Sequence, residues 1–300
     1  MENTLTLIVD PAKGGLDDSM TLAVRSALAD LGADTAAPLW LDRGIACDIP
    51  FGLLALEQGE AVARAVLGKA PVDVVALPTA HRRKLLLIAD MDSTMVQAET
   101  LDELAEFAGA EVHAKVASIT ARAMNGELDF RAALRERVAM LAGTAVAALE
   151  ETYQRVAYTP GAHTLVRTMK GHGAHAVLVS GGFSYFTGRV RESCGFDLDV
   201  SNEFIIENER LTGEVRDPIL DRSAKLQTMI STAAHHRLPL ELALAVGDGA
   251  NDLEMIQAAG LGVAYHAKPI VASQARVRID HGDLTALLYA QGYRRAEFVA

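Results

Sequence analysis

LLLIADMDST, Leu85–Thr94, is the stretch that decides the fold. Leu85–Ala89 is a continuous apolar run, the mark of a strand covered on both faces in a parallel sheet. It stops on Asp90, and a second aspartate, Asp92, follows two residues on. Two more such runs occur at Ala176–Val179 and Ala243–Val246, and a further one at Gly262–Tyr265. Helical patterns separate them, and that alternation predicts an α/β fold with a doubly wound parallel sheet. In open sheets of this kind ligands bind outside the carboxyl ends of the strands. The first run is followed by Asp90-Met91-Asp92-Ser93-Thr94, the second by Ser180-Gly181-Gly182, and the third by Gly247-Asp248-Gly249-Ala250-Asn251-Asp252.

Working outward, residues 95–158 form an insert between the first two strands that is helical by pattern. Thr100 and Glu103 have the spacing of a capping box ahead of Leu101, Leu104, Ala105 and Ala108, with Gly109 as the stop, which leaves Glu99 free. Asp129 is a suitable N-cap for a helix over Phe130–Leu141, and another helix is expected over 144–157. A helical insert at this place reads as a cap over the strand ends. Later, Phe204–Ile206 and Leu211–Val215 flank a hairpin turn. Residues 1–80 have a βαββαβ order: strand Thr4–Val9, helix Leu16–Leu31, two short strands within Leu39–Pro50, helix Glu57–Leu67 and strand Val72–Leu77. That order predicts a small ferredoxin-like sandwich. Pro78–Lys84, with Arg82, Arg83 and Lys84, reads as a solvated linker. The expected division is an N-terminal domain at 1–80, a core of 81–94 and 159–300, and a cap at 95–158.

With 28 basic and 39 acidic side chains the formal net charge is −11, which disfavours nucleic acid and anionic membrane surfaces as partners. An anionic substrate therefore needs a locally positive site. No stretch approaches the roughly 20 apolar residues of a membrane span. MENTLTLIVDP lacks the basic and apolar regions of a secretory signal. Cys47 and Cys194 stand far apart without a CxxC partner, which argues against a disulfide framework or a zinc site and fits the cytoplasm.

Carboxylates gathered at a dry strand edge repel one another, so a cation is expected among them. The donors are all oxygens, which suits Mg²⁺. Gly181, Gly182 and Gly249 let backbone N–H groups approach a phosphate. Lys225 falls in the first turn of an expected helix Ser223–Ala233, where it opposes the helix dipole. Holding a phosphoryl oxygen would explain it there, and a solvated surface lysine is the other reading. Arg137 lies within the apolar stripe of Phe130, Leu134 and Leu141, and an inward guanidinium asks for a carboxylate. A structural ion pair with Glu99 competes with a substrate role for both residues.

Together, DMDST, SGG, the lone lysine, GDGAND and KPI at Lys268–Ile270 resemble the haloacid-dehalogenase-like phosphohydrolases, and among them the phosphoserine phosphatase branch. The resemblance runs from about Leu85 to Asp283. It implies a HAD-like Rossmannoid core with a helical cap and Mg²⁺-dependent hydrolysis of O-phosphoserine, the last step of serine biosynthesis. It also implies that Asp90 is the nucleophile and forms an aspartyl-phosphate, with Asp92 as general acid and base. Asp90, the Asp92 carbonyl and Asp248 would hold Mg²⁺. Ser180, Gly181, Lys225 and Asn251 would bind phosphate, and Asp252 would orient Lys225 or metal-bound water. Glu99 would meet the substrate ammonium and Arg137 its carboxylate, while Met124 and Phe130 would close over it. The N-terminal order is similar to ACT-type amino-acid-binding modules, which implies serine binding or a homodimer through that domain. A purely structural domain is equally open. A phosphatase or mutase for another small monoester, a phosphotransferase and a non-catalytic amino-acid sensor are the rival functions.

Overall fold

A computed structural model describes all residues from Met1 to Ala300. The N-terminal sheet is built from β1 (Asn3–Ile8), β2 (Asp34–Thr35), β3 (Leu39–Asp42), β4 (Ala46–Gly52) and β5 (Asp73–Pro78). All its pairings are antiparallel, in the order β2-β4-β1-β5, with β3 also on β4. Helices α1 (Asp18–Asp30) and α2 (Leu56–Leu67) cover one face, burying Leu5, Leu7, Val24, Leu28, Ile49 and Phe51. Gly59 lets α2 lie close to the sheet, since a Cβ there would come 2.7 Å from the Phe51 ring. The other face carries Ile8, Ala46, Val75 and Leu77 into the main core of the molecule.

That main core surrounds a six-stranded parallel sheet. Its strands are β6 (Leu86–Ala89), β7 (His175–Phe183), β8 (Leu198–Asn202), β11 (Ala243–Gly247), β12 (Leu261–Tyr265) and β13 (Val277–Ile279), in the order β13-β12-β11-β6-β7-β8. β9 (Phe204–Glu207) and β10 (Arg210–Val215) form the expected hairpin, turned through Asn208 and Glu209 at positive φ. Alternate residues of the apolar runs serve opposite faces. Leu86, Ile88, Val177 and Val179 pack with Met229 and Met255, whereas Leu87, Ala89, Ala176 and Leu178 pack with Leu165, Val166 and Leu287. Four helices form the insert: α3 (Thr100–Ala105), α4 (Ala110–Met124), α5 (Phe130–Ala139) and α6 (Ala147–Arg155). Six flank the sheet: α7 (Ala162–Gly171), α8 (Ser184–Cys194), α9 (Arg222–His235), α10 (Leu253–Ala258), α11 (Pro269–Ala272) and α12 (Ala286–Ala290). The two chain crossings into the insert lie side by side, with Val96 bridged to Tyr158.

Two local expectations are corrected. Thr100 and Glu103 do not form a capping box: α3 starts at Thr100 with Glu99 at its N-cap, and the Thr100 amide donates to Asp92 Oδ1 at 3.0 Å. A tertiary acceptor has displaced the local one. Nor is Arg82-Arg83-Lys84 a solvated linker. Arg82 donates to Asp48 Oδ2 at 2.8 Å, to Asp48 Oδ1 and Thr6 Oγ1 at 3.0 Å each, and to the Ala290 carbonyl at 3.1 Å. The buried Lys84 ammonium donates to the carbonyls of His81 and Glu241. The polar groups on the inner face of the N-terminal sheet need partners once the core covers them, and this segment supplies them. Asp73 adds a second tie by accepting the amides of Asp280 and Gly282 at 2.7 Å each.

Candidate active site

β6, β7 and β11 are neighbours or next neighbours in the sheet, so their carboxyl ends deliver Asp90, Ser180 and Asp248 to one edge. α9 approaches the same edge with its first turn. Lys225 Nζ there reaches Asp90 Oδ1 and Asp252 Oδ1, both at 2.6 Å, and all three side chains are buried. Asp252 stands before α10 without capping it; its second oxygen accepts the Gly249 amide at 3.0 Å. Carboxylate oxygens of Asp90, Asp248 and Asp252 lie within 4.8 Å of one another.

The glycines at this edge are required by close approach. A Cβ at Gly247 would collide with the Asp252 carboxylate, and one at Gly182 would sit 2.8 Å from Asp92 Oδ2. A Cβ at Gly181 would enter the Phe130 ring at 2.6 Å. The helical insert and the core thus touch through the backbone at Gly181. Ser180 Oγ accepts the Gly182 amide at 2.8 Å, which fixes the turn of that loop.

Crowded carboxylates with one buried cation shift together. Burial, and then Asp252, push the Asp90 carboxyl well above the usual range, with Lys225 opposing the rise. Asp248 is pushed up to about 7 by burial and Asp252. Glu99 is pushed up to about 8 by burial and by Asp92 and Asp248. Burial raises Asp92 as well, against its bond from Thr100. For Lys225 burial disfavours the charge, but Asp252 and Asp90 outweigh it and the ammonium is held protonated. A set of buried oxygen donors that one lysine does not neutralise fits a hard divalent cation.

The cap supplies the other wall. Glu99 is not free, since Ser93, itself at φ 54°, donates its hydroxyl to Glu99 Oε1 at 2.8 Å. Arg137 is buried, and its hydrogen bonds run to Thr120 Oγ1 at 2.8 Å and the Ala133 carbonyl at 3.4 Å. No ion pair joins it to Glu99. Between these walls lies a small cavity of about 20 Å³. Asp90, Asp92, Glu99, Met124, Phe130, Arg137, Ser180, Gly181, Asp248 and Asn251 all line it. Lys225 and Asp252 stand behind Asp90. Asn251 Oδ1 is buried without a donor. Sequence reasoning missed Ser93 and also Asn202, whose Nδ2 donates to the Gly181 carbonyl at 2.9 Å and whose Oδ1 accepts the Leu220 amide at 2.8 Å. The one signal for Asn202 was an amide side chain at the end of a strand.

Residues 87–257 match the model of the haloacid dehalogenase-like hydrolases. The chain belongs to this family. A phosphoserine phosphatase from Archaeoglobus fulgidus is 45% identical over 218 residues, which is 72% of this chain and 63% of that relative's length. The chain therefore spans somewhat under two thirds of that relative. A solved structure of a phospho-aspartyl intermediate analogue of phosphoserine phosphatase superposes with TM-score 0.66 at 36% identity, covering 71% of this chain and all of that one. A HAD family hydrolase from Salmonella enterica serovar Typhi superposes with TM-score 0.81 at 28% identity, over 96% of this chain and 98% of the other. Its coverage extends the likeness through the N-terminal sheet.

Proposed function

We propose that this protein is a phosphoserine phosphatase. The observation that carries the reading is the single cavity in which the strand-end carboxylates face a buried arginine that has no carboxylate partner. Phosphoserine carries three charged groups, and the cavity offers a counterpart to each: the Ser180–Gly181 loop to phosphate, Glu99 to ammonium and Arg137 to carboxylate.

On this reading Asp90 attacks phosphorus, the bond to the serine oxygen breaks, and Asp92 delivers a proton to the leaving oxygen. Asp92 then takes a proton from the water that attacks the phosphorus of the aspartyl-phosphate, and Asp90 is released. The raised Asp92 carboxyl suits a group that must hold a proton near neutral pH. Ser180 and the Gly181 amide hold the transferring oxygens, Lys225 places Asp90 and faces the phosphoryl charge, Asp252 holds Lys225, and Asn251 offers its amide to the phosphate. Asp90, Asp248 and the Asp92 carbonyl are the groups that would hold Mg²⁺, which when bound neutralises charge on the phosphoryl oxygens. Met124 and Phe130 line the cavity and exclude water from it.

The division into an ACT-like N-terminal unit (1–80), a core (81–94 with 159–300) and a cap (95–158) belongs to the same reading, as do a cytoplasmic setting, serine binding or a homodimer through the first unit. Among the helices none is long and apolar enough to cross a membrane. The test is phosphate release from O-phosphoserine, O-phosphothreonine and a phosphomonoester lacking the ammonium, with Mg²⁺ or chelator and with or without acceptor alcohols. Fastest release from phosphoserine, lost on chelation, is expected. Equal rates across the panel would overturn the substrate assignment, and transfer to alcohol in preference to water would make the protein a phosphotransferase.

A further inference from the structure

Asp248 is the least satisfied carboxylate of the cluster. Lys225 is shared between Asp90 and Asp252, and Asp252 also takes the Gly249 amide. Asp248 has the Thr94 hydroxyl at 3.4 Å from Oδ1 and the Lys268 ammonium at 3.8 Å from Oδ2. The backbone of Lys268 is pinned: its amide donates to the Asp248 carbonyl at 3.0 Å, and it stands at the N-cap of α11 with Pro269 next. Its side chain is 39% exposed, against 5% for Asp248, and does not line the cavity. A fixed backbone thus brings a solvated, flexible charge to the outer side of the cluster. At 3.8 Å that charge lies beyond hydrogen-bonding range and acts through space.

We infer that Lys268 is the counter-charge of Asp248 and sets how tightly the carboxylate cluster holds a divalent cation. The inference rests on the metal reading given above. An ammonium beside Asp248 stabilises the cluster when the ion has left and repels the ion when it returns. Lys268 is therefore a tuning residue: it touches neither substrate nor reacting atoms, and its removal should tighten metal binding without changing the KM for phosphoserine at saturating Mg²⁺.

The test is a titration with Mn²⁺, without substrate, in which free ion is read by electron paramagnetic resonance. Lys268→Gln should bind Mn²⁺ about tenfold more tightly, the size of effect one charge roughly 6 Å away has on a dication in a near-aqueous dielectric. Lys268→Ala should do the same, and Lys268→Arg, which keeps the charge, should stay near wild type. Unchanged or weaker binding by both neutral variants, with wild type binding normally, overturns the role of Lys268 alone. A wild-type protein that retains no Mn²⁺ overturns the metal reading and this inference with it.

Discussion

Arg137 is a guanidinium in an apolar helix face, held by one hydroxyl and one carbonyl. Desolvating such a group is costly unless an anion meets it. On the proposed reading the substrate carboxylate is that anion. Arg137→Ala should then raise KM for phosphoserine by about ten- to a hundredfold, the scale of hydrogen bonds between charged groups. Turnover of a small monoester without a carboxylate should change little, and equal losses on both would make the arginine structural. Asp248 and Glu99 lead to a second expectation. Their folded-state values, about 7 and about 8, lie above the ordinary carboxyl range. Between the unfolded values near 4 and these folded ones, the two groups keep protons in the metal-free folded protein that the unfolded chain has lost, so their contribution to stability falls as pH rises from about 4 toward 8. Denaturation under chelator across that range should show the decline, and excess Mg²⁺ should flatten it. A chelated protein that gains stability as pH rises would contradict the charge arrangement.

At the scale of elements, the apolar runs were legible because strands covered on both faces leave an unbroken hydrophobic signature. β8 and β13 left none: LDVSN is a half-polar sheet-edge strand, and VRI is three residues long. The start of α3 was misread for a different reason. Thr100 and Glu103 have the right spacing, but the acceptor that wins the Thr100 amide is Asp92, eight residues back across a turn that needs Ser93 at positive φ. Local spacing carries no information about such a contact. The helical insert is tied to the core by Arg131–Asp221 at 2.8 Å and Arg135–Asp217 at 2.7 Å, both arginines standing on α5. Exposed pairs contribute up to about 1 kcal/mol each and are screened by salt. Replacing both arginines by methionine should therefore raise KM for phosphoserine by about three- to tenfold. Wild-type KM should climb with NaCl while that of the double variant stays flat. Parallel salt curves would mean that these pairs do not hold the cap.

For the whole molecule, the N-terminal unit is fastened to the core instead of hanging from a linker. The basic run at 82–84 looked like solvated chain because the partner of Arg82 lies 34 residues away in β4. Asp48 and Arg82 are both nearly buried, with side-chain exposures of 8% and 10%. Removing one member of a buried pair costs about 3–5 kcal/mol, because the other charge stays buried. Arg82→Met should therefore uncouple the two sheets, and calorimetry should resolve an early transition for residues 1–80 ahead of the core. A single transition at the wild-type temperature would show that apolar contacts around Ile8 and Leu77 suffice.

The proposed reaction depends on Asp90 becoming covalently phosphorylated. The most direct measurement is acid quenching of the protein during turnover of O-phosphoserine labelled in its phosphoryl group, followed by peptide mapping. The account predicts label on the peptide carrying Asp90, lost on hydroxylamine treatment and absent from Asp90→Asn. Phosphate release without that label, or with label on another residue, would contradict it.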